Sequence, residues 1–216
     1  MKKADAALAL IEFSHGNMPI NHLDRIIHIC SFLCEGMRLV SPAFSNKFES
    51  SEYVETFLEA TQYHDVGKAL IDQSVINKTS AITEQDYELM KCHVLEGLQY
   101  VNEAYESGSI QGNLRIELIR ECILFHHERW DGKGYPRGVY GLDIPYSARL
   151  LAVADTYDAA MSPRPWKDAL TSEDIYQYII EQQGKSFDPE VVEAFQRVHS
   201  KIKELYPKVR NKAELS

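Results

Sequence analysis

Between residues 114 and 127 the apolar side chains recur at every fourth position, and each series ends in a histidine. Leu114, Leu118 and Cys122 lead to His126, while Ile119 and Ile123 lead to His127. At 100° per residue this places two adjacent imidazoles on the apolar face at the end of a helix. His93 shares its face with Met90, Gly97 and Val101, and the glycine leaves room beside the ring. Asp155 closes the run Ala148-Arg149-Leu150-Leu151-Ala152-Val153-Ala154-Asp155 on the inward side. A buried carboxylate is costly unless it is paired or bound to a cation. A chain that aims several imidazoles and carboxylates at its own core therefore needs something positive there.

The remaining periodicity is helical nearly throughout. Helices are expected over Ala4–Phe13, Pro19–Leu39, Glu52–His64, Thr83–Tyr105, Leu114–His126, Ser147–Met161, Thr171–Gln183 and Pro189–Leu205. Thr83, with Glu84 and Asp86 following, has the form of a helix N-cap. Ser41–Ser51 reads as a polar loop and Asn77–Ala81 as a turn. Asp131–Pro145, with four glycines and two prolines, is too interrupted for a regular element. Strand signals are poor and there is no internal repeat. The expectation is an all-α fold: a single helical bundle domain over 22–200 with the metal site in its core, an N-terminal helical segment over 1–21 and a polar tail over 201–216.

Composition bounds the function. A chain of 216 residues, 44% hydrophobic and 25% charged, suits one globular domain. A net charge of −9 argues against binding a nucleic-acid polymer, which needs a basic footprint. It leaves room for a small anion in a cleft that holds cations. No apolar run approaches the length of a bilayer span, and the N-terminus lacks a signal-cleavage pattern. Cys30, Cys34, Cys92 and Cys122 lie in helical stretches without metal-site spacing, as expected of reduced thiols packed in the core of a cytoplasmic protein.

Two strings carry the chemistry: His64-Asp65-Val66-Gly67-Lys68 and His126-His127-Glu128-Arg129-Trp130-Asp131-Gly132-Lys133-Gly134-Tyr135-Pro136. Each joins metal-ligand side chains to glycine and lysine, the residues that receive phosphate. With them stand His22-Leu23-Asp24-Arg25, Ile76-Asn77-Lys78, Met90 to His93, Ile144-Pro145, Ala148-Arg149, Val153-Ala154-Asp155, Tyr157-Asp158-Ala159, Ser162-Pro163-Arg164-Pro165 and Phe187-Asp188-Pro189. This ordered series, spanning about His22 to Phe195, resembles the HD-GYP branch of the HD metal-dependent phosphohydrolases, bacterial enzymes that cleave cyclic di-GMP.

The resemblance implies a ligand set of His22, His64, Asp65, His93, His126, His127 and Asp155. Asp65 would bridge two divalent metals, with a hydroxide between them as nucleophile. Iron or manganese is expected, and nickel or zinc also suits such donors. Some members hold a third metal through a glutamate four residues before the first histidine; Met18 stands there, so two are expected. His28, with Asp24 four residues before it, is an alternative first ligand. It lies about 240° around the helix from His22, and the Arg25 match with Ile26, Cys30, Leu33 and Met37 favours His22. Lys68, Arg164 and Lys167 match positions that hold substrate phosphates, and Lys68 joins Asp65 in the catalytic set. Gly134, Tyr135 and Pro136 form the loop lip. There Tyr135 either meets a guanine or plugs the loop base. Arg129 and Trp130 are scaffold or site; Arg149 and Asp158 are expected to orient the ligand shell.

The implied function is a phosphodiesterase giving the linear dinucleotide pGpG, with GMP as a further product. Two alternatives stay open: a phosphohydrolase of another cyclic or linear dinucleotide or nucleotide, and a non-catalytic binding module that signals through a partner. A regulatory partner or a second copy of the chain is compatible with either.

Overall fold

The computed structural model describes residues 21–162 and 169–206. Among them every regular element is a helix, and the only strand-like pairing is an isolated bridge between Gln183 and Phe187. The elements are α1 (His22–Val40), α2 (Pro42–Lys47), α3 (Ser51–Thr61), a 3-10 turn (Val66–Ala69), α4 (Gln73–Ile76), α5 (Glu84–Glu106) and α6 (Asn113–Phe125). After a second 3-10 turn (Gly141–Asp143) come α7 (Tyr146–Met161), α8 (Ser172–Glu181) and α9 (Pro189–Glu204). The expected all-α bundle is the observed one. The expected Ala4–Phe13 helix, Met18, Arg164 and Lys167 lie outside the described residues.

Helix α1 is the axis of the bundle. It packs along α9 and also meets α2, α3 and α7, while α6 bridges α3, α5 and α7. Ile26, Ile29, Cys30, Leu33 and Met37 give α1 a fully buried face. The approach to α9 is close because Gly36 has no side chain: a Cβ there would stand 2.7 Å from the Ala194 carbonyl oxygen. Helix ends follow capping chemistry. The Thr83 hydroxyl accepts from the Asp86 amide at 3.2 Å while the Asp86 carboxylate accepts from the Thr83 amide at 2.7 Å, a complete capping box.

Two expectations need correction. Ser41–Ser51 is not simply a loop: it contains α2, with Ser41 as N-cap and Pro42 in the first turn. Phe44 and Phe48 from this segment are fully buried and stacked with centroids 4.0 Å apart, and they meet Tyr146 and Phe57. The polar residues between them mask an i, i+4 aromatic pair. Cys92 is exposed, whereas Cys30, Cys34 and Cys122 are buried. It lies one residue before His93, about 100° around α5, and so leaves the core face that His93 occupies.

The contact that shapes the site is between glycines. A Cβ on Gly67 would fall 1.8 Å from the His93 carbonyl oxygen and 2.6 Å from the Gly97 amide; one on Gly97 would sit 3.1 Å from the Gly67 amide. Only bare backbone at both positions lets the turn after α3 lie against the middle of α5. Gly67→Ala is therefore expected to lower stability by about 3 kcal/mol or more, the upper end of overpacking costs. Urea unfolding checks this, and a variant as stable as the wild type would refute the close approach.

Candidate metal centre

Four elements bring imidazoles to one place. His22 opens α1, His64 and Asp65 follow α3, His93 lies mid-α5, and His126 and His127 follow the last residue of α6. His64 is fully buried, with His93 and His126 nearly so. Ring centroids run from His22 to His64 at 5.7 Å, His64 to His126 at 5.2 Å, His126 to His127 at 3.9 Å and His127 to His93 at 5.2 Å.

The tautomers follow from their partners. Nδ1 of His64 lies 2.7 Å from the Thr61 carbonyl oxygen, that of His93 2.6 Å from Met90, and that of His126 2.8 Å from Cys122. A carbonyl only accepts, so each Nδ1 carries its proton and each Nε2 presents a lone pair. His22 Nδ1 is held in the same way by the Asp158 carboxylate at 2.6 Å.

Among the described residues, the buried Nε2 atoms of His64, His93 and His126 have no hydrogen-bond partner, and neither does Asp65 Oδ1. They face one another: Asp65 Oδ1 stands 3.3 Å from His93 Nε2 and 3.7 Å from His126 Nε2, while Oδ2 stands 3.4 Å from His64 Nε2. Buried polar atoms left unpaired are costly, and here they converge with lone pairs inward. Donor atoms of Asp65, His93, His126 and His127 lie within 4.8 Å of one another, as do those of His22, His64 and Asp65. The two groups share Asp65, and its two oxygens turn to different sides. Nitrogen and oxygen donors at this spacing fit divalent cations bound at about 2.0–2.2 Å.

The electrostatics agree. Burial would raise the Asp65 carboxyl, but Lys68, His64 and His126 hold it well below the usual carboxylate range. Burial lowers His93 to about 4, and burial with the neighbouring His126 takes His127 well below an ordinary histidine. Both rings are neutral at pH 7, as ligands must be. His64 differs: burial pulls it down, yet Asp65 and Asp155 outweigh that and raise it. A cation bound at His64 Nε2 would take the place of the proton so favoured.

The other expected residues divide. Asp155 is partly exposed and belongs to neither group of donors, although its Oδ1 is 3.9 Å from His64 Nε2. It lines a cleft of about 160 Å³ with His126, His127, Tyr178 and Phe187. His28 is exposed. Lys68 Nζ pairs with Asp65 Oδ2. Tyr135 stacks on His127 with centroids 4.7 Å apart, and burial pushes its hydroxyl up. Gly134 leaves no space for a side chain, since a Cβ would lie 2.5 Å from the Arg129 amide.

Arg129 lines the same cleft; it pairs with Asp131 through two hydrogen bonds, at 3.0 and 2.8 Å, and donates to Ser186. Arg149 does not orient the donors. It donates to Asp188, which caps α9, and lies over the Tyr146 ring, because its position on α7 turns it towards α9. Asp158 does touch the donor shell, binding both His22 and Arg25. Sequence reasoning missed Glu128, whose Oε1 accepts from the Arg137 and Gly138 amides at 2.7 and 3.1 Å and so closes the loop. A buried acid beside a glycine-rich turn, with its surplus of amides, is the signal that could have found it.

The family model described as HD domain matches residues 43–191. A probable cyclic di-GMP phosphodiesterase of Vibrio cholerae serotype O1 is 35% identical over 81% of this chain and 39% of its own length. A 3'3'-cGAMP-specific phosphodiesterase from the same organism is 36% identical over 62% of this chain and 24% of its own length. The chain thus spans well under half the length of these curated relatives. A solved cyclic GMP-AMP-specific phosphodiesterase of V. cholerae has the same fold, with a TM-score of 0.57 at 17% identity over 95% of this chain and 53% of that one. The chain belongs to the HD domain family. Within that family it is of the HD-GYP type, by its relatives and its Gly134-Tyr135-Pro136 loop.

The Asp158 carboxyl is held at about 2: burial would raise it, but hydrogen bonds from His22, Arg25 and Tyr206 prevail. A depressed carboxylate adds stability above its unfolded pKa, and that stability is lost as pH falls from about 4 through about 2. Asp158→Asn should cost on the order of 3–5 kcal/mol at pH 7, because Arg25 is left buried without its partner charge. The gap to wild type should narrow below pH 4 in pH-dependent urea melts. A constant gap would exclude the ionised carboxylate as its source.

Proposed function

We propose that this chain is a metal-dependent phosphodiesterase of cyclic dinucleotides, with cyclic di-GMP as its substrate and pGpG, then GMP, as products. The observation that carries this is the pair of donor groups joined at Asp65, whose oxygens face different imidazoles. His22, His64 and Asp65 would hold one cation and Asp65, His93, His126 and His127 the other, with Asp155 beside His64; iron or manganese suits these donors. Two such cations would supply charge for the phosphoryl transition state and a water of lowered pKa.

The chain's own residues do the rest. Asp65 stays ionised at neutral pH, and the carbonyls of Thr61, Met90 and Cys122 keep three imidazoles facing inward. Lys68, 37% exposed at the side chain, sits where its ammonium reaches both Asp65 and an incoming phosphate. The Tyr135 ring, braced on His127, would offer a purine a flat face for stacking. Arg164 and Lys167 join as further phosphate contacts on the strength of the motif they complete.

One observation favours a second reading, 3'3'-cGAMP as substrate: a relative named for that dinucleotide is 36% identical over 62% of this chain, against 35% over 81% for a relative named for cyclic di-GMP. Both readings share the site and differ in the base met at the loop.

Manganese- or iron-loaded protein should convert cyclic di-GMP to pGpG, and chelation should stop it. Asp65→Ala should lower turnover at least about 100-fold, the upper range for removing only an outer partner of a ligand. Product chromatography with both dinucleotides at matched metal loading checks this. Binding without cleavage of either would replace the enzyme with a receptor.

A further inference from the structure

The Asp158 carboxylate is almost sealed from solvent, with its side chain 1% exposed, yet it is fully subscribed. Oδ2 receives His22 Nδ1 at 2.6 Å and Arg25 Nη2 at 3.1 Å; Oδ1 receives Arg25 Nε and the Tyr206 hydroxyl, the latter at 2.5 Å. Tyr206 comes from the turn after α9, where its amide bonds to the Lys203 carbonyl at 3.1 Å. Its ring is 7% exposed, and the Arg25 guanidinium lies 5.6 Å from its centre. It stands beyond residue 191, where the family match ends, and within the stretch that composition marks as a polar tail.

We propose that Tyr206 is a positioning residue for the His22 side of the metal centre, acting through Asp158. The inference rests on the metal reading of the site. A carboxylate that orients a histidine has to be oriented itself, and partners of this kind tune how well the ligand binds. Arg25 holds Asp158 from α1, the helix that also carries His22, so these two move together. Tyr206 holds it from the far end of the chain. With the hydroxyl in place, Oδ1 is tied to two elements and Oδ2 is presented to His22 Nδ1. Without it, Asp158 can turn about its side chain towards Arg25, and His22 loses the fixed acceptor that aims Nε2 at Asp65. His93, His126 and His127 take their orientation from backbone carbonyls or neighbouring rings and are untouched by such a turn. The predicted effect is therefore confined to one of two metals.

Tyr206→Phe removes only the hydroxyl. Tyr157→Phe is its control: Tyr157 is fully buried with its ring against that of Tyr206, but its hydroxyl bonds Ser172 and His199 at 2.9 and 3.3 Å and does not bond Asp158. The full chain would be stripped with chelator, reloaded with manganese and dialysed, then examined by elemental analysis and electron paramagnetic resonance. The wild type should keep two ions per chain with a spin-coupled signal. Tyr206→Phe should fall towards one, with an isolated-ion signal and about tenfold weaker binding at the lost site. Tyr157→Phe should lower the melting temperature but keep both ions. If both variants keep two ions, or both lose one, Tyr206 is merely structural and the proposal is overturned. A wild type that binds no metal overturns it together with the reading on which it rests.

Discussion

The site turns on one partly buried carboxylate. Burial opposes the charge on Asp65, whose side chain is 19% exposed, but Lys68, His64 and His126 keep it ionised. Its oxygens lie 3.3–3.7 Å from three buried Nε2 atoms that have no hydrogen-bond partner among the described residues. A helical bundle would not leave such atoms unpaired at random, since each costs about 1–3 kcal/mol. The helices supply the counterweight. Carbonyls of α3, α5 and α6 fix three of the rings from behind, and an apolar core from α1, α6, α7 and α9 surrounds them.

Backbone proximity makes that arrangement possible. Gly67 and Gly97 let the turn that carries Asp65 rest directly on the helix that carries His93. Gly134 does the same for the loop that returns over His127, where Glu128 gathers the loop amides and Tyr135 stacks on the imidazole. Site and scaffold are thus one structure. The same glycines that resemble a phosphate-binding signature in the sequence serve first to bring main chains into contact.

A second polar network supports the first from outside. Asp158 joins His22, Arg25 and Tyr206 in a nearly dry setting, linking the beginning of α1, the last turn of α7 and the turn after α9. Arg149 and Asp188 form a parallel pair that fastens α7 to the start of α9 instead of serving the donors. Motif matching treats Arg149 and Asp158 alike; their partners separate them.

The helices and the inward aim of His126, His127 and His93 were legible in the sequence because helical periodicity is a local property. The Thr83 cap was legible for the same reason, every partner lying within three residues. The Phe44–Phe48 pair escaped because its burial is decided by Phe57 and Tyr146, far away in the chain. Cys92 and Arg149 were misjudged because the identity of a residue does not say which neighbour its face will meet. Local pattern was enough for an all-α fold and for the kinds of side chain that gather in its core. Packing sets the rest: the donors gather in two groups meeting at Asp65, His28 is left exposed, and Tyr206 closes on Asp158. Those outcomes depend on distances between elements far apart in the chain, which packing sets and no local pattern encodes.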